Sequence, residues 1–158
     1  MSILTLPEAV DLAARFRQEG KSIVTTNGVF DMLAVPHLRL LEAARREGDV
    51  LFVGINSDIS VRALKGDRRP IVPEGERAEL VRGLRCVDAV FLFNESDPRA
   101  WLRKIRPHVH VNSAEYTEAC IEAPLLKEIG ARLVLTPRDT EHLSTSDVIK
   151  TIQHRYCS

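Results

Sequence analysis

The sequence predicts an α/β fold with a doubly wound, mainly five-stranded parallel, Rossmann-like sheet that carries helices on both faces. Short β-prone runs alternate along the chain with stretches whose apolar residues recur at helical spacing, an order typical of parallel sheets with crossover helices. One run, Val50–Ile55, is continuously apolar, as expected of a strand buried on both faces. The length of 158 residues suits one domain with one substantial core, and no linker or repeat interrupts it.

The first elements have recognisable start signals. A helix begins where Thr5 can cap the first turn and Glu8 can reach back to it. A β-prone run over residues 22–26 follows, and Asn27-Gly28 predicts a turn after it. The next helix, over 36–47, has Pro36 in its first turn, where proline is tolerated.

The remaining elements repeat this alternation. Each further strand is a short apolar run, and each further helix has an apolar face. The helix near the end of the chain begins after Ser144, a residue type suited to capping. Strands are predicted over residues 50–55, 89–93, 109–111 and 132–135, and helices over 76–84, 98–105, 122–129 and 145–155.

Composition excludes several classes of protein. The 22 basic residues are balanced by 22 acidic ones, so no excess positive charge favours a nucleic-acid partner. No apolar run approaches the roughly 20 residues that span a membrane, and the start of the chain lacks the basic-then-apolar layout of a signal peptide. Three separated cysteines show no disulfide or metal spacing. We therefore expect a cytoplasmic protein without a membrane or nucleic-acid partner.

The most informative segment runs from Thr25 to His37. It leaves the first predicted strand and enters a helix near Pro36. Main-chain N–H groups in a glycine turn and at a helix N-terminus attract anions, and His37 in the first turn could donate to a phosphate oxygen. The alternative is that His37 is an ordinary packing or surface residue. Neither the dinucleotide fingerprint nor the phosphate loop ending in G-K-[ST] is present.

Several motifs in order give the chain a family resemblance. From about Lys21 to Ile152 it resembles the cytidylyltransferase-like nucleotidyltransferases, most closely the adenylyltransferase domains that make ADP-heptose. The residues that carry the resemblance are Thr26-Asn27-Gly28-Val29-Phe30-Asp31, His37, Ile55-Asn56-Ser57-Asp58, Leu64-Lys65-Gly66, Arg69-Pro70-Ile71, Arg77, Val87-Asp88 and Ser144-Thr145-Ser146.

The resemblance implies a role for each matching position. The turn from Asn27 to Asp31 would wrap the nucleotide, and His37 would stabilise charge on the α-phosphate and the leaving pyrophosphate. Mg²⁺ would enter with the nucleoside triphosphate, held by few protein carboxylates, and relatives of this kind usually form homodimers. The implied catalytic residues are His37, Lys65 and Arg77; the nucleotide-binding residues are Thr26, Asn27, Gly28, Val29, Phe30, Asp31, Ala34, Ser144, Thr145 and Ser146; and the acceptor-binding residues are Asp58, Asn112, Glu115 and Tyr116.

Each of these roles has a plainer alternative. Asp31 and Asp58 are also typical of turns in which the side chain bonds its own backbone, and Ser144-Thr145-Ser146 is also an ordinary helix cap. The basic residues near Lys65 are also typical of a solvated charge run. His108, His110, His142 and His154 lack metal-ligand spacing, so no protein metal site is predicted, and Trp101 and Phe91 are predicted core residues.

Three departures from the family pattern affect the predicted chemistry. After the T-N-G-x-F-D motif the family has a histidine-x-glycine-histidine box. This chain has Ala34 in place of the first histidine, Pro36 in place of the glycine, and His37 as the second histidine. Loss of one donor to a transition state typically costs roughly a hundred- to a thousandfold in rate. After Val111 the family has lysine, two glycines, aspartate and tyrosine, whereas this chain has Asn112 to Tyr116. Ala34 therefore fits an engineered knockout, a natural variant with another acceptor, or a degenerate relative.

Two classes of function follow from the resemblance, and the alternative to both is an unrelated α/β domain with a coincidental match. The first is an enzyme that joins a nucleoside monophosphate from ATP or CTP to a small phosphorylated acceptor and releases pyrophosphate. A heptose 1-phosphate-like sugar is favoured as the acceptor, and a polyol phosphate or hydroxyalkyl phosphonate with CTP is the alternative. The second is a nucleotide-binding module that is catalytically impaired because Ala34 replaces the first histidine of the box.

Overall fold

The fold is a parallel sheet with helices on both faces, seen here in a computed structural model that describes residues 2–114, 119–137 and 139–157. Five strands and seven helices lie within these ranges. The strands are β1 (Ile23–Gly28), β2 (Val50–Asn56), β3 (Ala89–Phe93), β4 (Val109–Ser113) and β5 (Arg132–Thr136), and the helices are α1 (Leu6–Gln18), α2 (Val35–Arg45), α3 (Asp58–Lys65), α4 (Glu74–Arg82), α5 (Arg99–Ile105), α6 (Ala123–Glu128) and α7 (Thr145–Tyr156).

The strand order is β3-β2-β1-β4-β5, and every neighbouring pair is parallel. The predicted doubly wound sheet is therefore confirmed. The chain order reverses between β1 and β4, where Thr25 pairs with His110. Ligands of open parallel sheets bind beyond the carboxyl ends of the strands at such a reversal, so this topology places the candidate site at the ends of β1 and β4.

Two apolar cores cover the two faces of the sheet. Successive side chains of a strand point to opposite faces, and β2 shows this directly, since Phe52 belongs to one core and Leu51 and Val53 to the other. Helices α1, α5 and α6 contribute to the core around Phe52. Helices α2 and α4 contribute to the core around Leu51. Trp101 and Phe91, predicted as core residues, are fully buried in the first of these.

The structure differs from the predicted elements at two places near the site. Strand β1 continues through Asn27 to Gly28, so the prediction of a turn at these residues is wrong. The turn follows the strand, where Phe30 and Met32 have positive φ angles of 52° and 56°. Gly28 packs closely against Phe30 instead, since a Cβ there would lie 3.1 Å from the ring.

Helix α3 was missing from the prediction. Ser57 caps it by accepting a hydrogen bond from Ser60 N. The helix is eight residues long and Val61 is its one buried apolar residue, so the segment is too short for apolar spacing to identify it. The capping box between Thr5 and Glu8 is present as predicted. Within the described ranges, no helix is both long and apolar enough to cross a membrane.

Candidate functional site

The loop after β1 is organised by the buried side chain of Asp31. Its carboxylate accepts hydrogen bonds from Ile71 N at 2.9 Å, Val72 N at 2.9 Å and Arg69 Nε at 2.6 Å. Burial acts to raise the pKa of this carboxyl, but the donated hydrogen bonds and the charge of Arg69 outweigh it, so the pKa is lowered. Asp31 therefore joins the β1 loop to the segment before α4, and its oxygens already have partners.

The N-terminus of α7 is attached to the same loop. The Thr145 hydroxyl donates to the main-chain oxygen of Asp31 at 2.7 Å. Ser144 caps the helix, because its hydroxyl accepts from Asp147 N and its N–H donates to the Asp147 carboxylate. Ser146 is exposed on the first turn. Of the three predicted phosphate ligands, Ser144 and Thr145 therefore hold the helix in place, and Ser146 is the exposed hydroxyl.

His37 stands in the first turn of α2 with a defined orientation. Its Nδ1 accepts a hydrogen bond from Ala34 N at 3.0 Å, and its ring lies edge-on to Phe30 with centroids 5.6 Å apart. Since a main-chain N–H can only donate, the neutral imidazole carries its proton on Nε2. Burial lowers the pKa of His37, and the nearby charge of Lys65 lowers it further. His37 is thus a neutral side chain with one N–H left to donate.

Lys65 and Arg77, both predicted as catalytic residues, occupy different environments. Lys65 is an exposed residue at the end of α3, close enough to His37 for its charge to act on the imidazole. Arg77 is 1% exposed. Its guanidinium donates to the main-chain oxygens of Val29, Asn56 and Val72 and to the Asp58 carboxylate. Arg77 therefore ties the ends of β1 and β2 together, and Asp58 is its ion-pair partner.

The end of β1 is fixed to β4 by polar side chains. Thr26 is buried, and its hydroxyl donates to Val111 O at 2.8 Å, across the reversal of strand order. Asn27 is half-buried, and its Oδ1 atom is buried without a hydrogen-bond partner in the part of the chain that the structure describes. Thr26 therefore contributes to the strand pairing, and Asn27 has hydrogen-bonding capacity left for a ligand.

The predicted acceptor residues are only partly covered by the structure. Asn112 is 4% exposed, and its Nδ2 donates to Glu122 Oε1 at 3.4 Å. Glu115 and Tyr116 lie outside the described residues. The sequence reasoning missed His110 and Glu122 as residues of interest, although both are buried near Asn112. A histidine between two valines in a short strand was the available signal, because its side chain had to face a core.

Taken together, the structure brings the N-termini of α2 and α7, His37 and Lys65 to the end of β1. Helix N-termini offer unpaired N–H groups and a partial positive charge, and Lys65 adds a full charge. Asp31, Thr145 and Arg77 hold these elements in place. This arrangement suits a polyanionic ligand such as an oligophosphate.

The chain matches known proteins over most of its length. The family model described as cytidylyltransferase-like matches residues 25–151. The bifunctional protein HldE of Trichlorobacter lovleyi is 40% identical over 147 residues, which cover 92% of this chain and 30% of that protein. The protein of the same name from Streptomyces coelicolor is 46% identical over 140 residues, 86% of this chain and 30% of that one. The chain spans about 30% of the length of these relatives.

Two solved structures are similar in fold. The lipopolysaccharide core biosynthesis protein from Thermoplasma volcanium superposes with a TM-score of 0.61 at 28% identity, covering 76% of this chain and 98% of that one. Pantoate-β-alanine ligase from Francisella tularensis, solved with β,γ-ATP and β-alanine, superposes with a TM-score of 0.69 over 94% of this chain and 73% of that one. The second pair is 12% identical, so it shows a shared fold alone.

Proposed function

Because the chain belongs to the cytidylyltransferase-like family of nucleotidyltransferases, we propose that it transfers a nucleoside monophosphate from ATP or CTP to a small phosphorylated acceptor and releases pyrophosphate. A heptose 1-phosphate-like sugar with ATP is the favoured pair, because the motifs resemble that branch most. One observation carries the proposal. His37 presents a fixed Nε2–H donor next to Lys65, at the point where two helix N-termini meet the β1 loop.

The chemistry needs no covalent intermediate with the protein. A phosphate oxygen of the acceptor attacks the α-phosphorus and forms the new P–O bond. The bond from the α-phosphorus to the bridging oxygen breaks, and pyrophosphate leaves with that electron pair. His37 Nε2–H and Lys65 would stabilise the negative charge that develops on the α-phosphate and the leaving group, while the site positions the two reactants.

Arg77, predicted as catalytic, and Asp31, predicted to bind the nucleotide, have a different role in this proposal. Arg77 is buried and donates to three main-chain oxygens and to Asp58, so we assign it to positioning the strand ends. Asp31 likewise positions the loop. The Asp31 carboxylate pairs with Arg69 and the Asp58 carboxylate pairs with Arg77, so neither is available as a strong metal ligand.

Magnesium fits this site as a companion of the triphosphate. Among the described residues, no group of three or more His, Cys, Asp or Glu side chains could hold a metal ion. Mg²⁺ commonly keeps several waters and binds substrate phosphates together with one or two carboxylates at most. We therefore propose that it enters on the nucleotide, and that this chain's own residues contribute positive charge and N–H donors. A homodimer is also proposed, on the family resemblance.

Ala34 favours a second candidate function, that of a nucleotide-binding module. Ala34 is the N-cap of α2 and gives no side-chain hydrogen bond to the helix. Its methyl group also has no donor for a phosphate oxygen. His37 and the two helix N-termini would still bind a triphosphate, but the rate would fall by roughly a hundred- to a thousandfold if the missing donor acted on the transition state.

Pyrophosphate release separates the two candidates. The wild-type chain and Ala34→His are each incubated with ATP or CTP, magnesium, and heptose 1-phosphate, glycerol 3-phosphate or a hydroxyalkyl phosphonate. Turnover by the wild type with one pair establishes the enzyme and names its substrates. Turnover by Ala34→His alone identifies a disabled transferase. If neither protein turns over while a non-hydrolysable ATP analogue still raises the melting temperature, the binding module is the correct function.

A further inference from the structure

Buried polar atoms without partners lie on one face of the sheet, beside the end of β1. Such atoms are few in folded proteins, because an unpaired buried polar group has lost its hydrogen bonds to water without replacement. In the described part of the chain there are four buried side-chain atoms of this kind, and they are Asn27 Oδ1, Trp101 Nε1, His110 Nε2 and Glu122 Oε2.

These atoms belong to side chains that lie together. The rings of Trp101 and His110 are edge-on with centroids 6.0 Å apart. The carboxylate of Glu122 acts electrostatically on His110, and it accepts a hydrogen bond from Asn112, two residues further along β4. Trp101, His110, Asn112 and Glu122 are each less than 5% exposed.

Asn27 links this cluster to the end of β1. His110 Nδ1 lies 2.8 Å from Thr25 Oγ1, and Asn27 faces the same side of the sheet as Thr25 because side chains alternate. Asn27 pairs in register with Gly54, and a Cβ at Gly54 would lie 3.3 Å from the Trp101 ring. Asn27 is half-buried, whereas the other members are buried. The cluster therefore reaches solvent at Asn27, just before the β1 loop.

The cluster contains both donors and acceptors. Trp101 Nε1–H can only donate, and Glu122 Oε2 and Asn27 Oδ1 can only accept. Burial lowers the pKa of His110 to about 4, so this side chain is neutral at pH 7. Glu122 has no ion-pair partner among the described residues. A ligand for these atoms must therefore both donate and accept hydrogen bonds, and it must not be an anion.

We propose that Asn27, Trp101, His110, Asn112 and Glu122 form a polyol pocket that recognises hydroxyl groups of the acceptor, at the end distant from its phosphate. The inference rests on the proposed function and names the part of the substrate that this chain selects. A hydroxyl group both donates and accepts, so it satisfies the carboxylate, the amide oxygen and the indole N–H together. An ammonium group would leave the indole N–H unpaired, and a phosphate would be repelled by the negative charge of the Glu122 carboxylate.

Calorimetric binding of acceptors tests the pocket without requiring turnover. The probes are heptose 1-phosphate, mannose 1-phosphate, 2-aminoethyl phosphate and ethyl phosphate, each titrated in the presence of magnesium and a non-hydrolysable ATP or CTP analogue. We expect one of the two sugar phosphates to bind at least roughly tenfold more tightly than ethyl phosphate. Ethyl phosphate cannot make the hydrogen bonds of the sugar hydroxyls, and the loss of one hydrogen bond to a buried group corresponds to roughly tenfold in Kd. Tighter binding of 2-aminoethyl phosphate would overturn the polyol assignment in favour of a cationic ligand.

Variants connect the binding to the pocket. Glu122→Gln removes one unpaired carboxylate oxygen with little change of shape, and Trp101→Phe removes the indole N–H together with one ring of a core side chain. Each is expected to weaken sugar phosphate binding roughly tenfold while leaving the nucleotide Kd unchanged. The matched control is Glu128→Gln, because Glu128 is an exposed residue of the same helix that pairs with Arg103. Wild-type affinity in both pocket variants, or no binding of either sugar phosphate to the wild type, would overturn the inference. Sugar phosphate binding without pyrophosphate release would contradict the proposed transfer reaction and leave the pocket standing.

Discussion

The Thr145 hydroxyl donates to the main-chain oxygen of Asp31 at 2.7 Å and thereby joins positions 114 residues apart. The Asp31 side chain, on the same residue, accepts from Ile71 N, Val72 N and Arg69. One residue therefore connects the β1 loop, the segment before α4 and the N-terminus of α7. The positions of the groups proposed to bind phosphate depend on this connection.

Thr145→Val should weaken triphosphate binding. Valine keeps the branched shape but loses the donor to Asp31 O, so the start of α7 is no longer held against the β1 loop. With about 1 kcal/mol per hydrogen bond, the Kd of a non-hydrolysable ATP or CTP analogue should rise up to roughly tenfold. Thr151→Val is the control, because its hydroxyl donates to Asp147 O within the same helix. Equal affinities in the two variants would contradict the role of Thr145.

Asp31→Asn should strongly destabilise the fold. The Asp31 side chain is 1% exposed and that of Arg69 is 15% exposed, and removing one partner of a buried pair leaves the other uncompensated, at a cost of about 3 kcal/mol. Chemical denaturation measures this change. Asp97→Asn breaks the more exposed pair with Arg99 and should cost less than about 1 kcal/mol. A similar small loss in both variants would show that Asp31 contributes little to stability.

The sheet and its helices were predictable because their signals are local. Apolar runs such as Val50–Ile55 identify strands, and Thr5 with Glu8 identifies a helix start. The family motifs likewise located His37 and Lys65, which the structure places near each other. Helix α3 was missed because it is only eight residues long and its start is marked by a single serine cap.

The direction of a polar side chain was not predictable in the same way. Arg77 and Asp58 match family motifs, yet only the fold shows that they pair with each other inside the protein. The environment of His110 depends on α5 and α6 packing over β4, which involves residues distant in sequence. Long-range packing of this kind leaves no periodic signal at the residue itself.

His37→Asn should separate the two functions of this side chain. The asparagine oxygen can take the place of Nδ1 and accept from Ala34 N, but no group replaces Nε2–H. We expect stability within about 1 kcal/mol of wild type and a rate of pyrophosphate release lower by roughly a hundred- to a thousandfold, measured in whichever of the wild type and Ala34→His is active. His154→Asn, in the exposed last turn of α7, is the control. An unchanged rate in His37→Asn would remove His37 from the chemistry.

Lys65→Ala should raise the pKa of His37. Burial lowers that pKa first and the charge of Lys65 lowers it further, so removing the charge leaves burial and the opposing effect of Asp31. Titration of the imidazole by NMR, without any substrate, gives the pKa directly. Lys104→Ala on α5 is the control, because no effect of Lys104 on His37 is expected. A His37 pKa that does not move would show that Lys65 points away from the site.

Acid should destabilise the protein through His110. Burial, which outweighs the opposing charge of Glu122, lowers the pKa of His110 in the folded state from 6.5 to about 4. Between these values the unfolded chain binds a proton that the folded chain does not, so stability falls as the pH falls through this window. From pH 7 to pH 5 the loss should be on the order of 2 kcal/mol.

His110→Gln tests this prediction because glutamine does not titrate and retains a polar group near Thr25. Urea denaturation at pH 7 and pH 5 should show a smaller loss in the variant than in the wild type, by about 2 kcal/mol. The acid sensitivity that comes from His37, whose pKa is also lowered, is present in both proteins and cancels in the comparison. In the folded wild type the NMR signals of the His110 ring should not shift between pH 7 and pH 5. Equal losses in the two proteins, or a His110 ring that titrates near pH 6.5, would show that burial does not lower the pKa of this histidine.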